Sequence, residues 1–248
     1  MLTTTLVLHK MFGRIVKLYP DNSVVKSGPG ILLGERDALE FAAQLNLPVP
    51  RLVGEQSTQN AGELCNIRMS FIEGQRLDKV WGGMTADEKL DVCRQLRTIL
   101  EVMQSTESKT GIIGSCNGGP ARDCRQYTDY TGGPFTNEAE FNNFILDFVS
   151  TIPTGIRSAL TKQIRTDHRI VFSHGDLVPH NIIIQGGRIT GLIDWEYAGW
   201  YPEYWDFVKF FERSTDHKDW RNHAQYIFPQ QYEDELAAFH GIMRWQRP

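Results

Sequence analysis

Apolar and polar positions alternate along this chain with two different periods, and the switches between them mark its elements. Residues 14–19 and 23–26 alternate every second position around the turn cluster Pro20-Asp21-Asn22, which predicts a hairpin whose second strand closes at Lys26. The period then lengthens. Ala38, Leu39, Ala42 and Leu45 recur at helical spacing, so a helix is expected from Glu35 to about Leu45, ended by Pro48. Residues 65–72 read as a strand, and Thr85-Ala86-Asp87-Glu88 is a capping box opening a helix with Leu90, Cys93, Leu96, Leu100 and Met103 on one face. Further helices are expected over residues 137–149 and 153–165, and a short one near 232–239. Residues 111–135 hold no period: they are too polar and too broken by glycine for regular structure. Late in the chain, the apolar runs 182–184 and 189–193 flank Gly186-Gly187, the mark of a second hairpin.

Composition narrows the function classes. At 248 residues and 41% apolar content the chain is long enough for one large or two small cores. Its net charge of -4, with Lys and Arg spread along the chain rather than clustered, argues against a nucleic-acid partner. No run approaches the 18 or so apolar residues of a membrane span, and the first residues do not read as a signal peptide, so a cytoplasmic protein without a membrane partner is expected. Cys65, Cys93, Cys116 and Cys124 form no Cys-x-x-Cys pair and have no histidines at zinc spacing. Cys65 and Cys93 are expected as small buried residues; Cys116 and Cys124 share the glycine-containing stretch, and no disulfide is expected between them in a reducing compartment.

Candidate chemistry concentrates around the second hairpin. Asn181 follows Asp176 by five residues in Ser-His-Gly-Asp-Leu-Val-Pro-His-Asn, and Asp194 follows the hairpin in Ile-Asp-Trp-Glu. Counting outward from the Gly-Gly turn sets Asn181 opposite Leu192 and Asp194 two residues beyond, roughly 7 Å at a strand rise of about 3.3 Å. One Mg²⁺ could take hard oxygen ligands from both, leaving Asp176 to face an acceptor hydroxyl as base or as orienting group. His174 is expected to brace the loop by hydrogen bonds.

The strings His-Gly-Asp-Leu-Val-Pro-His-Asn and Ile-Asp-Trp-Glu-Tyr-Ala-Gly resemble the catalytic loop and metal-binding segment of the aminoglycoside phosphotransferase and choline kinase-like family. That resemblance implies an α+β, two-lobed protein-kinase-like fold: a small antiparallel-sheet N-lobe over residues 1–73, expected as five strands and one helix, and a mainly helical C-lobe over 74–248. It implies ATP and Mg²⁺ as cofactors, a small hydroxylated molecule as acceptor, and transfer of the γ-phosphoryl group. Asp176, Asn181 and Asp194 match the catalytic positions, with Asn181 and Asp194 as metal ligands. Lys26 and Glu35 match the strand lysine that grips the phosphates and the helix glutamate that holds it. The hinge that reads adenine falls at Ser70, Phe71 and Ile72, with Met69 at the back of the pocket. The expected glycine-rich phosphate loop is weak, since residues 6–14 contain only Gly13. Two other classes stay open at this level, a nucleotide-binding pseudokinase and a metal-dependent phosphoesterase.

Around this centre the sequence leaves roles divided. Trp195, Trp200 and Trp205, with Tyr197, Tyr201 and Tyr204 among them, read as core packing or as an aromatic cage for a cation. Asp206 resembles the family aspartate that supports the catalytic loop, and Glu196 is placed near the metal, near a substrate amine, or in solvent. Residues 111–135 either border the acceptor site or connect surface elements. Acids after Ser214 are interleaved with bases, unlike the carboxylate lining a polycationic acceptor needs, so the acceptor is left open.

Overall fold

The computed structural model describes residues 4–54, 58–60, 63–64, 66–125, 128–147 and 152–245. They group into two compact units: residues 1–92 with 179–196, and residues 93–178 with 197–248.

The first unit begins with an antiparallel meander, β1 (Leu6–Met11), β2 (Arg14–Leu18) and β3 (Ser23–Ser27), the last two joined across the predicted turn. Helix α1 (Leu33–Gln44) follows and buries Ala38, Leu39 and Ala42, the face the sequence period selects. A separate hairpin, β4 (Thr58–Asn60) with β5 (Glu63–Leu64), precedes β6 (Asn66–Ser70), which pairs with β3 to give the order β1-β2-β3-β6. The five-stranded sheet expected from the sequence is thus four-stranded among the described residues. Residues 51–53 only touch its edge, through a single bridge of Leu52 to Met69 flanked by Val53 N–H to Arg68 O (3.0 Å) and Ser70 N–H to Arg51 O (2.8 Å). Pro48 and Pro50 lack N–H groups and cannot extend that ladder. Cys65 lies outside the described residues.

Strand β7 (Gln75–Arg76) leads into the short α2 (Leu77–Val80) and then α3 (Ala86–Gln104), which opens in the first unit and ends in the second. Thr85 and Glu88 close the capping box reciprocally: Glu88 N–H donates to Thr85 Oγ1 (3.3 Å) and Thr85 N–H to Glu88 Oε2 (2.7 Å).

In the second unit, residues 111–135 are not irregular. They form β8 (Gly114–Ser115) and a hairpin of β9 (Ala121–Arg125) with β10 (Thr128–Gly132). The strand was hidden because its buried face carries Asp123 and Arg125 beside Ala121, so its inward positions read as polar. Helices α4 (Glu138–Asp147) and α5 (Thr154–Gln163) lead to β11 (Ile170–Ser173). The chain then returns to the first unit as the hairpin β12 (Ile182–Gln185) and β13 (Arg188–Leu192), with β7 on its other side. Back in the second unit, β14 (Gly199–Pro202) enters between β11 and β8. Helices α6 (Trp205–Glu212), α7 (Ala224–Ile227) and α8 (Glu233–Trp245) complete the chain. The last helix runs well past the expected end near Phe239, because Ile242 is buried and Gly241 is the small residue at the α5 crossing: a Cβ there would lie 2.8 Å from Leu160 Cδ2. Among the described residues no helix is long and apolar enough to cross a membrane.

Candidate active site

Alternation along β3 turns Val24 and Lys26 to the same buried face. A lysine is held there only by partners, and Lys26 has carboxylates around it. Its Nζ donates to Glu35 Oε1 and Asp194 Oδ1, each at 2.7 Å, and lies 3.8 Å from Glu196 Oε2. Burial opposes the ammonium, but Asp194, Glu35 and Glu196 outweigh it and raise its pKa. Burial raises Glu35, with Asp194 and Glu196 adding to the push and Lys26 pulling it down.

Asp194 reaches this lysine from just beyond β13, at a positive φ of 64°. Asp is one of the few residue types with a side chain that visits that region. The hairpin register differs from an uninterrupted count. Ile182, not Asn181, faces Leu192, because a bulge between Ile189 and Gly191 inserts Thr190. Asn181 therefore stands opposite Ile193, whose N–H donates to its carbonyl at 2.9 Å, and Asp194 is one residue beyond it rather than two. The bulge has a visible cause: Thr190 Oγ1 donates to Glu73 O (3.0 Å), and Ile72 packs on Gly191, where a Cβ would sit 2.3 Å from Ile72 Cδ1.

The residues expected at the hinge straddle the end of β6. Met69 pairs with Val24, the N–H of Ser70 donates to Arg51 O, and the N–H of Phe71 donates to Asn22 O at 3.1 Å.

Asp176 lies in the second unit, at the end of a braced loop. Gly175 needs its positive φ of 77° and its missing side chain, since a Cβ would meet Tyr197 O at 2.7 Å. His174 is fully buried and its Nδ1 accepts the Asp176 N–H at 3.2 Å, the bracing role expected of it. Asp206, at the start of α6, accepts the N–H groups of His174 (3.1 Å) and Gly175 (2.7 Å). Burial pushes its carboxyl up to about 6 against the pull of those two donors.

Arg213, just after α6, completes the surroundings. Its Nε lies 3.1 Å from Asp176 Oδ1, its Nη2 donates to Gly175 O (3.2 Å), and its guanidinium covers the Tyr197 ring at 4.3 Å. Tyr197 in turn donates its hydroxyl to Asp129 of β10 (2.8 Å), which Arg122 of β9 also engages at 2.6 Å. The β9–β10 hairpin is thereby tied to the loop that carries Asp176. Tyr197 is no free aromatic wall, because its ring already meets Arg213 and Arg122. Trp195, Tyr201, Tyr204 and Trp205 are buried, and the Tyr201 ring stacks on Trp205 at 5.1 Å, so packing is what they do.

Sequence reasoning missed Arg14 and Arg213. Neither lies in a motif, and the chain offers no spacing that distinguishes them from surface arginines. Arg14 pairs with Glu196 in the first unit, which gives Glu196 a partly buried ionic role rather than an exposed one. Among the described residues no group of three His, Cys, Asp or Glu side chains is arranged to hold a metal. Asn181 and Asp194 offer instead one carboxylate and one amide oxygen, a donor set that fits Mg²⁺ carrying nucleotide phosphates.

Residues 13–247 match the model of the phosphotransferase enzyme family. No curated protein matches the chain. Among solved structures, the streptomycin–ATP ternary complex of APH(2″)-IIa is 16% identical with a TM-score of 0.61, over 96% of this chain and 81% of that one. The ADP and hygromycin B complex of a thermostable APH(4)-Ia mutant is 14% identical with a TM-score of 0.66, over 98% and 84%. Aminoglycoside-3′-phosphotransferase of type VIII is 15% identical with a TM-score of 0.62, over 98% and 93%. These likenesses establish the α+β protein-kinase-like fold.

Proposed function

Since the chain belongs to the phosphotransferase enzyme family, we propose that it transfers the γ-phosphoryl group of ATP to a hydroxyl of a small molecule, with Mg²⁺ as its metal. The observation that carries this reading is the buried Lys26, bonded at once to Glu35 and Asp194. A lysine fixed between a helix carboxylate and the candidate metal ligand is placed to grip nucleotide phosphates. Residues 1–73 are the nucleotide lobe in this reading, and adenine is read by the backbone around Ser70, Phe71 and Ile72, with Met69 behind. The Ser70 and Phe71 amides already donate within the sheet region, so in this reading the base is met by carbonyls of this crossing and the Ile72 amide.

Asn181 and Asp194 hold Mg²⁺, which when bound neutralises charge on the phosphate oxygens. In residues 74–248, Asp176 orients the acceptor hydroxyl, and Arg213 fixes its carboxylate while Asp206 fixes the backbone before it. The β9–β10 hairpin borders the acceptor. The structural relatives are complexes with streptomycin and hygromycin B. Beside Asp176, however, this chain places Arg213, and Asp129 is engaged by Arg122, so a less cationic hydroxylated acceptor suits it better.

The test is melting temperature with and without Mg-ATP, with Asp194→Asn as control. A ligand at a hundred times its Kd stabilises the native state by about 2.7 kcal/mol. A Mg²⁺-dependent rise that Asp194→Asn loses is expected, and no rise at millimolar nucleotide overturns the reading. Acceptors are then screened by ATP consumption. Asp176→Asn is expected to fold and to abolish turnover, and normal turnover would remove Asp176 from its role.

A further inference from the structure

The β1–β2 connection is where a loop covering the nucleotide phosphates is expected, and it is too short to be one. Met11 pairs directly with Arg14, so Phe12 and Gly13 alone make the turn, both at positive φ (48° and 79°). What this tight turn delivers is Arg14. Its Nε donates to Pro29 O at 3.0 Å, its Nη2 to Gly30 O at 3.2 Å, and its Nη1 to Glu196 Oε2. Backbone contact fixes the stem of that side chain: a Cβ on Gly28 would lie 2.7 Å from Gly13 O and 2.8 Å from Arg14 Cα. The side chain remains 24% exposed.

The Glu196 oxygen that Arg14 engages is the one 3.8 Å from Lys26 Nζ. A single carboxylate oxygen therefore stands between two cations, and Asp194 takes another hydrogen of Lys26. Whatever anion Lys26 receives is within reach of Arg14. Of the five N–H groups of a guanidinium, Pro29, Gly30 and Glu196 take three, and the forked head suits phosphate oxygens.

We propose that Arg14 is a phosphate-binding residue of the nucleotide site and that Glu196 is the counter-ion holding it there before nucleotide binds. The proposal rests on the reading of the chain as an ATP-dependent phosphotransferase. A side-chain guanidinium then supplies the N–H donors that backbone amides of a glycine-rich loop would supply, and the shortness of the β1–β2 turn ceases to be a defect.

Calorimetric titration with Mg-ATP, and competition by adenosine, which carries no phosphate, separate the possibilities. The variants are Arg14→Met, Arg14→Lys and Lys26→Met, each with its melting temperature without ligand. Arg14→Met is expected to weaken Mg-ATP about tenfold or more, the size of a lost charge-assisted hydrogen bond. Adenosine binding should hold even where the lost bonds to Pro29, Gly30 and Glu196 lower the unliganded melting temperature, and Arg14→Lys should recover part of the Mg-ATP loss. If Arg14→Met binds Mg-ATP like the unaltered protein while Lys26→Met does not, Arg14 is only a brace for Glu196, and the nucleotide site stands without it. A loss of adenosine binding equal to the loss of Mg-ATP binding also overturns the proposal. Failure of the unaltered protein to bind Mg-ATP removes both the proposal and the function it rests on. Should Arg14→Met not fold, Arg14→Gln, which keeps donors for Pro29 and Gly30 without the charge, gives the same comparison.

Discussion

Asp206 shows how much one buried carboxylate does for the loop it supports. It is 2% exposed and accepts two consecutive backbone N–H groups, so its removal strands both. Asp206→Ala is expected to cost about 2–4 kcal/mol in urea unfolding, roughly one unpaired buried donor counted twice. Its folded pKa of about 6 lies above the usual value for Asp. That sign makes its contribution greatest below pH ~4 and lost as pH rises through about 6. Asp206→Asn should therefore lose less than Asp206→Ala and flatten the pH dependence of stability across that window; an unchanged slope would contradict the assignment. At this scale the Lys26–Glu35 pair and the bracing roles of His174 and Asp206 were legible, because they lie in or beside recognisable motifs. Arg14 and Arg213 were not, because an arginine acquires a role only from what the fold sets beside it.

Elements were legible where burial follows polarity. The β2–β3 hairpin, α1 and α3 came from periodicity, and the capping box at Thr85 and Glu88 from a four-residue signature. Thr85→Ala should lower stability by about 1 kcal/mol, measured as a shift in urea midpoint with unchanged slope. The β9–β10 hairpin failed the same logic, because its buried side is charged. Asp123 is engaged there by Arg125 and by Lys209 Nζ at 2.6 Å, and Lys209 also pairs with Glu212. Burial would raise Asp123, but Lys209 and Arg125 hold it below its usual value. Lys209→Met leaves buried carboxylates without their shared cation and should cost about 3–5 kcal/mol. A near-neutral effect in urea unfolding would show that the cluster is not closed in solution.

Across the second unit, His168 ties distant parts of the chain together. Its Nδ1 lies 2.7 Å from Glu138 Oε1 on α4 and its Nε2 lies 3.1 Å from Glu235 Oε1 on α8, with the Tyr204 ring edge-on at 4.8 Å and Tyr232 beyond. Burial would lower the imidazole pKa, but the hydrogen bond and charge of Glu138 and the charge of Glu235 outweigh it and raise it. A raised histidine contributes fully below its unfolded pKa of about 6.5, and that stability is lost as pH climbs through the higher folded value. The melting temperature should fall over that range, and His168→Gln should remove this part of the fall; an equal fall in the variant would place the pH dependence elsewhere. The sequence by itself determined the family, the α+β class and the Lys26–Glu35 pair, and it supplied Asp176, Asn181 and Asp194 as the residues proposed for catalysis. These rest on local spacing and periodicity, which are properties of neighbouring residues. Only the tertiary structure decided the Thr190 bulge that brings Asp194 closer to Asn181, the charged inward face of β9, and the ion pairs of Arg14, Arg213 and His168. Each of these depends on groups far apart in the chain meeting in the fold, and no local pattern records which distant group will be there.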